Sequence, residues 1–147
     1  MTIPERNPEI ERFGEVIFEE KVPSVLVKKN DTLDPIMTTL FDHKLIDEEL
    51  KMGTRLALDE AFTNAIRHGN QNIPEKMVKI LIFSESKRWS IVFEDEGEGF
   101  APKELPDFEQ SEFLFAEGGR GLFLMHYYMD DVIYIGTGNI IQLIKNL

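Results

Sequence analysis

Residues 47–69 carry one long apolar stripe, which constrains the architecture more firmly than any other feature of this chain. Leu50, Ala57, Leu58, Ala61, Phe62, Ala65 and Ile66 recur at helical spacing and so fall on one side of an α-helix. Asp47 is suited to cap its start and Gly69 to stop it. A long helix that is apolar on one side has to lie on a second layer. The remaining sequence offers a sheet for that purpose.

Residues 15–29 place Val16, Ile17, Phe18, Val22, Val25, Leu26 and Val27 around Pro23, and read as strand, turn and strand. Pro23 marks an edge or a bend. Asp31 and Thr32 suit the cap of a first helix running to about Leu45 on Leu33, Ile36, Met37, Leu40 and Phe41. Residues 77–84 and 89–94 form a hairpin across a polar turn at 85–88, and 131–135 with 140–144 form another across Gly136, Thr137 and Gly138. A third helix runs from near Gly121 to about Met129. Residues 95–119 are a long polar connection with Pro102, Pro106 and four glycines, the character of a lid, placed at about 101–118. The order predicts an α+β, two-layer sandwich with helices on one face of a mixed, mostly antiparallel sheet. The other face must be covered or wet. Residues 1–14 read as a flexible lead-in and 15–147 as a single domain.

At 147 residues one core suffices, and no apolar run approaches the ~20 residues of a membrane span. The polar amino terminus lacks a secretory pattern, which predicts a cytoplasmic protein with no membrane partner. The absence of cysteine removes disulfides and thiolate sites, and His43, His68 and His126 are too scattered for a zinc cage. Sixteen basic against twenty-seven acidic side chains leave a net charge of −11, which argues against direct nucleic-acid binding and favours a basic protein partner. Local phosphate binding is still open to such a chain, through backbone amides at a helix start.

Three short motifs carry chemistry. On the long helix, four residues turn the chain through roughly 400° and rise about 6 Å, so Glu60 and Asn64 share a side, with Arg67 and His68 one turn on. A carboxylate there can deprotonate an attacking hydroxyl, and an asparagine oxygen suits magnesium. The same pattern suits an ordinary solvated helix face. Asp95-Glu96-Gly97-Glu98-Gly99-Phe100 follows an apolar strand: the glycines admit a flat ligand against the backbone, and Asp95 offers an acceptor for an adenine amine. A plain turn is the alternative; a calcium loop lacks its later oxygen ligands. Gly118-Gly119-Arg120-Gly121-Leu122 precedes the third helix, where free amides, the helix dipole and a guanidinium favour phosphate. It lacks the Lys-Ser or Lys-Thr of a Walker loop.

In this order and at these separations, the three motifs resemble the N, G1 and G2 boxes of the GHKL, or Bergerat-fold, superfamily of ATPases and kinases. The finer wording of residues 59–65, 119–125 and 129–132 is similar to the serine/threonine kinases that act as anti-sigma factors, and the resemblance covers about 22–145. It implies that Glu60 is the general base, that Asn64 holds Mg2+, and that Asp95 recognises the adenine of ATP. It further implies that Gly97, Gly99, Gly119, Arg120, Gly121 and Leu122 surround the nucleotide. His68 suits either the loop beneath the nucleotide or a phosphate contact. The implied partners are an anti-anti-sigma (STAS-type) protein as substrate and a sigma factor as competitor; residues 15–27 offer an edge strand for a homodimer. A catalytically silent, ATP-gated sequestering module of the same fold is the alternative.

The family's last strand usually opens on Gly-Thr, the threonine assisting adenine. Here Gly138 is followed by Asn139, which implies either weaker ATP binding or Asn139 in the hydroxyl's role. Met125, Tyr127, Tyr128, Met129 and Trp89 read as packing residues, and His43 as a surface residue.

Overall fold

The structure, a computed structural model, describes residues 5–7, 9–99 and 117–147. The six strands among the described residues are β1 (Glu5–Asn7), β2 (Glu15–Pro23), β3 (Met77–Glu85), β4 (Arg88–Glu94), β5 (Asp131–Ile135) and β6 (Ile140–Asn146). They form one sheet in the order β1-β5-β6-β4-β3-β2, in which β1 runs parallel to β5 and every other pair is antiparallel. Among the described residues, three α-helices, α1 (Lys29–Asp42), α2 (Glu48–Asn64) and α3 (Glu117–Tyr128), complete the α+β architecture expected from sequence.

The long helix forms as its sequence requires. The Asp47 carboxylate accepts the amide of Leu50 at 2.9 Å, closing the first turn of α2. Ala57, Leu58, Ala61 and Phe62 are buried against Ile80, Ile82, Ile91 and Phe93 of the sheet, and Phe62 stacks on Phe93 with ring centroids 5.7 Å apart. Helix α3 lies beside α2 at Gly53, where any Cβ would collide with the Tyr128 ring. At its far end α2 passes into a wide π turn, Ala65–Gly69, in which the Asn70 amide donates to Ala65 O at 2.9 Å.

Several local expectations are corrected. The second strand expected after Pro23 is a short 3-10 turn, Leu26–Lys28, leading directly into α1. Pro23 ends the pairing of edge strand β2, and three apolar residues are too few to start another strand once Ser24 Oγ donates to Lys76 O. Helix α1 begins at Lys29, so Asp31 lies in its first turn instead of capping it. It ends at Asp42 because Lys44 adopts φ 58°, and the Lys44 and Leu45 amides turn back to Phe41 O and Leu40 O. Helix α3 starts at Glu117, four residues before Gly121; glycines are tolerated in the first turn. The lid expected at about 101–118 lies outside the described residues except for 117 and 118, which belong to α3.

The sheet's other face is covered by the chain's own amino-terminal stretch. Phe13 is buried with Leu81, Phe83 and Val92, and Ile10 bridges them to Ile133, Ile135 and Ile144. The buried Gln142 amide imitates a strand partner for Glu11: it accepts the Glu11 amide at 2.9 Å and donates to the Glu11 carbonyl at 2.8 Å. The same nitrogen donates to Ser90 Oγ at 3.0 Å. Arg88 lies over the Phe13 ring, 3.8 Å from its centroid. The packed unit therefore begins ahead of Glu15, inside the stretch read as a flexible lead-in.

Candidate functional site

A cavity of about 540 Å³, within the range of small-molecule sites, opens between α2, the turns after α2 and β4, and the start of β6. Its apolar walls are Ala61, Ala65, Phe93, Leu122, Tyr134 and Ile141, and its polar groups include Asn64, His68, Lys76, Asp95 and Asn139. An apolar slot with a few convergent polar groups is the arrangement a flat heteroaromatic ring requires.

Asp95 stands at the end of β4. Its amide donates to Asn139 O at 2.9 Å, and its carboxylate accepts the Gly97 amide at 2.8 Å. Burial pushes its carboxyl up to about 6, against the weaker pull of that amide, and the nearby Glu94 charge adds to the rise. Glycines make room for it. A Cβ on Gly69 would collide with the Asp95 carboxylate, and one on Gly97 with Gly69 O. Gly99, at φ 83°, occupies the left-handed region and would strike Thr137 O if it carried a Cβ. The second sequence motif is thus built around one half-buried carboxylate.

The first and third motifs meet through α2 and α3. Asn64 ends α2 and lines the cavity, as does the exposed His68 in the π turn. Glu60, one turn before Asn64, does not line the cavity; it faces α3, where a Cβ on Gly121 would come within 2.5 Å of its Oε2. Its neighbour Asp59 is committed elsewhere, paired with Lys29 Nζ at 2.8 Å and accepting from Thr63 Oγ1 at 2.9 Å. Gly119 and Arg120 belong to the first turn of α3, where a helix leaves its amides without intrahelical acceptors; the Arg120 side chain lies outside the described residues. Of the positions predicted to surround a nucleotide, the cavity therefore gathers Asn64, His68, Asp95, Gly97, Gly99 and Leu122. It leaves Glu60 and Gly121 together beyond its lining.

Lys76 and Tyr134 also line the cavity with no local sequence signal to mark them, and buried Asn70 bonds to the Glu96 amide beside Asp95 without lining it. Only the fold brings these together with Asp95. Asn139, which the sequence marks as standing where the family carries threonine, has a specific geometry: its Nδ2 donates to the Asp95 carbonyl at 3.0 Å and its Oδ1 accepts from Thr137 Oγ1 at 3.2 Å. Its side chain braces Asp95 from the β6 side.

The donor set fits an adenine nucleotide. Asp95 is an anionic acceptor, the walls are apolar, and the first turn of α3 supplies amides suited to phosphate. No group of three or more His, Asp or Glu suited to a metal occurs among the described residues. Magnesium would depend on Asn64 and on the nucleotide's own oxygens and waters, which suits an ion that keeps part of its hydration shell.

Comparison with known proteins agrees with this geometry. Residues 31–145 match the family described as histidine kinase-like ATPase domain. The chain is 37% identical over 101 residues to the serine-protein kinase RsbW of Staphylococcus epidermidis, a match covering 63% of each protein. The RsbW of Bacillus licheniformis is 34% identical over 103 residues, again 63% of each. The chain thus spans under two thirds of the length of these relatives. The anti-sigma F factor of Anoxybacillus flavithermus is 31% identical over 124 residues, 78% of this chain and 75% of that protein. The chain belongs to the histidine kinase-like ATPase family, in the branch that holds the RsbW-type serine kinases and the anti-sigma F factors.

Proposed function

We propose that this chain is a cytoplasmic ATP-dependent serine/threonine protein kinase that acts as an anti-sigma factor, with an anti-anti-sigma protein of the STAS type as its substrate. The observation that carries the reading is the half-buried Asp95 carboxylate, which lines a largely apolar cavity together with Asn64. When bound, ATP with Mg2+ supplies the phosphoryl group and offsets the charge of its transfer. The chain's own residues do the rest. Asp95 accepts from the adenine amine, Phe93, Leu122 and Ile141 exclude water from the ring, and Asn64 orients the ion. Glu60 stands one turn of α2 from Asn64, where it takes the proton of the incoming hydroxyl. An acidic chain of net charge −11 suits a basic surface on a sigma factor, and the edge strand β2 is open to pairing in a homodimer.

Transfer of labelled phosphate to a candidate anti-anti-sigma protein, beside a pull-down of the same pair, tests this reading. Glu60→Gln is expected to keep nucleotide and partner binding while slowing transfer by ~10²–10⁴-fold, the usual cost of losing a general base. Glu60 lies outside the cavity lining, and this favours one other reading, an ATP-gated sequestering module that transfers no phosphate. Wild-type protein that binds ATP and its partner but behaves identically to Glu60→Gln would replace the kinase with that module.

A further inference from the structure

Asn70 has no accessible surface and does not line the cavity, yet every polar group of its side chain is engaged with the frame of the site. Its Nδ2 donates to Ser24 Oγ at 2.9 Å and to Met77 O at 3.0 Å, and its Oδ1 accepts the Glu96 amide at 2.7 Å. Ser24 Oγ in turn donates to Lys76 O at 2.6 Å, and the Glu96 carboxylate accepts the Met77 amide. One buried amide thus ties together the end of β2, the turn after α2, the start of β3 and the peptide that follows Asp95. Two donors and one acceptor are needed within a single short side chain, which aspartate and leucine cannot supply.

We infer that Asn70 is a positioning residue for adenine selectivity, fixing the Asp95-Glu96 peptide so that the Asp95 carboxylate faces the base. The inference rests on the nucleotide reading above. Asp95 is held on two sides: Asn139 takes its carbonyl and amide from β6, and Asn70 takes the next amide from below. If the Asn70 oxygen is lost, the Glu96 amide loses its acceptor and the peptide is held only at the Asp95 carbonyl by Asn139, so it can pivot about that bond and shift the Asp95 carboxylate. The π turn makes the arrangement reachable, because its extra residue sets Gly69 against Asp95 and turns Asn70 inward. A carboxylate accepts from the adenine amine and repels the carbonyl oxygen that guanine presents in its place. Misplacing it therefore costs ATP more than GTP.

The test is a double-mutant cycle in magnesium-ATP affinity over wild type, Asn70→Ala, Asp95→Asn and the double variant, with GTP measured alongside and folding followed through the single buried tryptophan, Trp89. Asn70→Ala is expected to weaken ATP at least ~10-fold, leave GTP within about threefold, and add nothing once Asp95 is Asn. Equal loss for ATP and GTP, additive losses, or no loss in a folded variant would overturn the positioning role. Should Asn70→Ala fail to fold, Ser24→Ala takes its place under the same criteria, since it removes only the hydroxyl that orients the amide. Wild-type protein that binds no ATP would overturn the nucleotide reading itself, and this role with it, whereas binding with additive variants overturns Asn70 alone.

Discussion

At the scale of single residues, Asp95 carries a burial cost that the proposed recognition of adenine would explain. Its carboxyl is pushed up to about 6 by burial, so between the ordinary carboxylate range and that value the folded protein holds a proton that the unfolded chain has released. This group's contribution to stability falls as pH rises through that window, and at neutral pH the folded state carries the cost of a desolvated charge. Two outcomes follow. Asp95→Asn should melt higher than the wild type at pH 7–8 in thermal unfolding without nucleotide, yet gain less when ATP is added. In the wild type, ATP affinity measured from pH 8 down to pH 5 should fall as pH drops through about 6, because the protonated carboxyl no longer offers an anionic acceptor. A flat profile across that range would remove Asp95 from base recognition. Asp95, Gly97 and Gly99 could be grouped from sequence because they are near neighbours after an apolar strand, although a plain turn fits the same spacing. Asn70 could not be, since its partners at Ser24, Met77 and Glu96 are brought to it only by the fold.

At the scale of elements, legibility follows how local the determining interactions are. The cap and stripe of α2 and both hairpins were readable because the residues that fix them are near neighbours in the chain. The 3-10 turn at Leu26–Lys28 and the early start of α3 were not, because β-branched residues and glycines signal strand and loop until tertiary packing overrides them. The same limit hid the covering of the sheet's second face. Ile10 and Phe13 are separated from their partners on β4 and β6 by most of the chain, and the Glu11–Gln142 pair spans 131 positions. Asp47→Ala should lower stability by about 1 kcal/mol, the usual worth of a helix cap, read from denaturant unfolding. Phe13→Ala should lower it by about 3 kcal/mol, the lower end for a buried phenylalanine, and leave ATP affinity unchanged because Phe13 lies on the sheet face away from the cavity. A loss of affinity in a folded Phe13→Ala would show that the two faces are coupled.

At the scale of the whole molecule, the sheet serves two surfaces with different duties. One face carries α1, α2, α3 and the cavity, and the other is sealed by the amino-terminal stretch through Phe13, Ile10 and the Gln142 amide. Asp95 lies just past the end of β4 and lines the cavity together with Asn64 of α2 and Leu122 of α3, so one residue or more of each sequence motif reaches this seam. A net charge of −11 disfavours phosphate overall, so the proposed nucleotide binding depends on local donors in this seam. Adenine nucleotide is therefore expected to bind in this seam and to be held by Asp95. Isothermal titration of the wild type and of Asp95→Asn with ATP in the presence of Mg2+ tests it most directly. Saturable binding of one ATP per chain is expected in the wild type, weakened at least ~10-fold by Asp95→Asn. No heat of binding at millimolar ATP, or equal affinity in the two proteins, would contradict it.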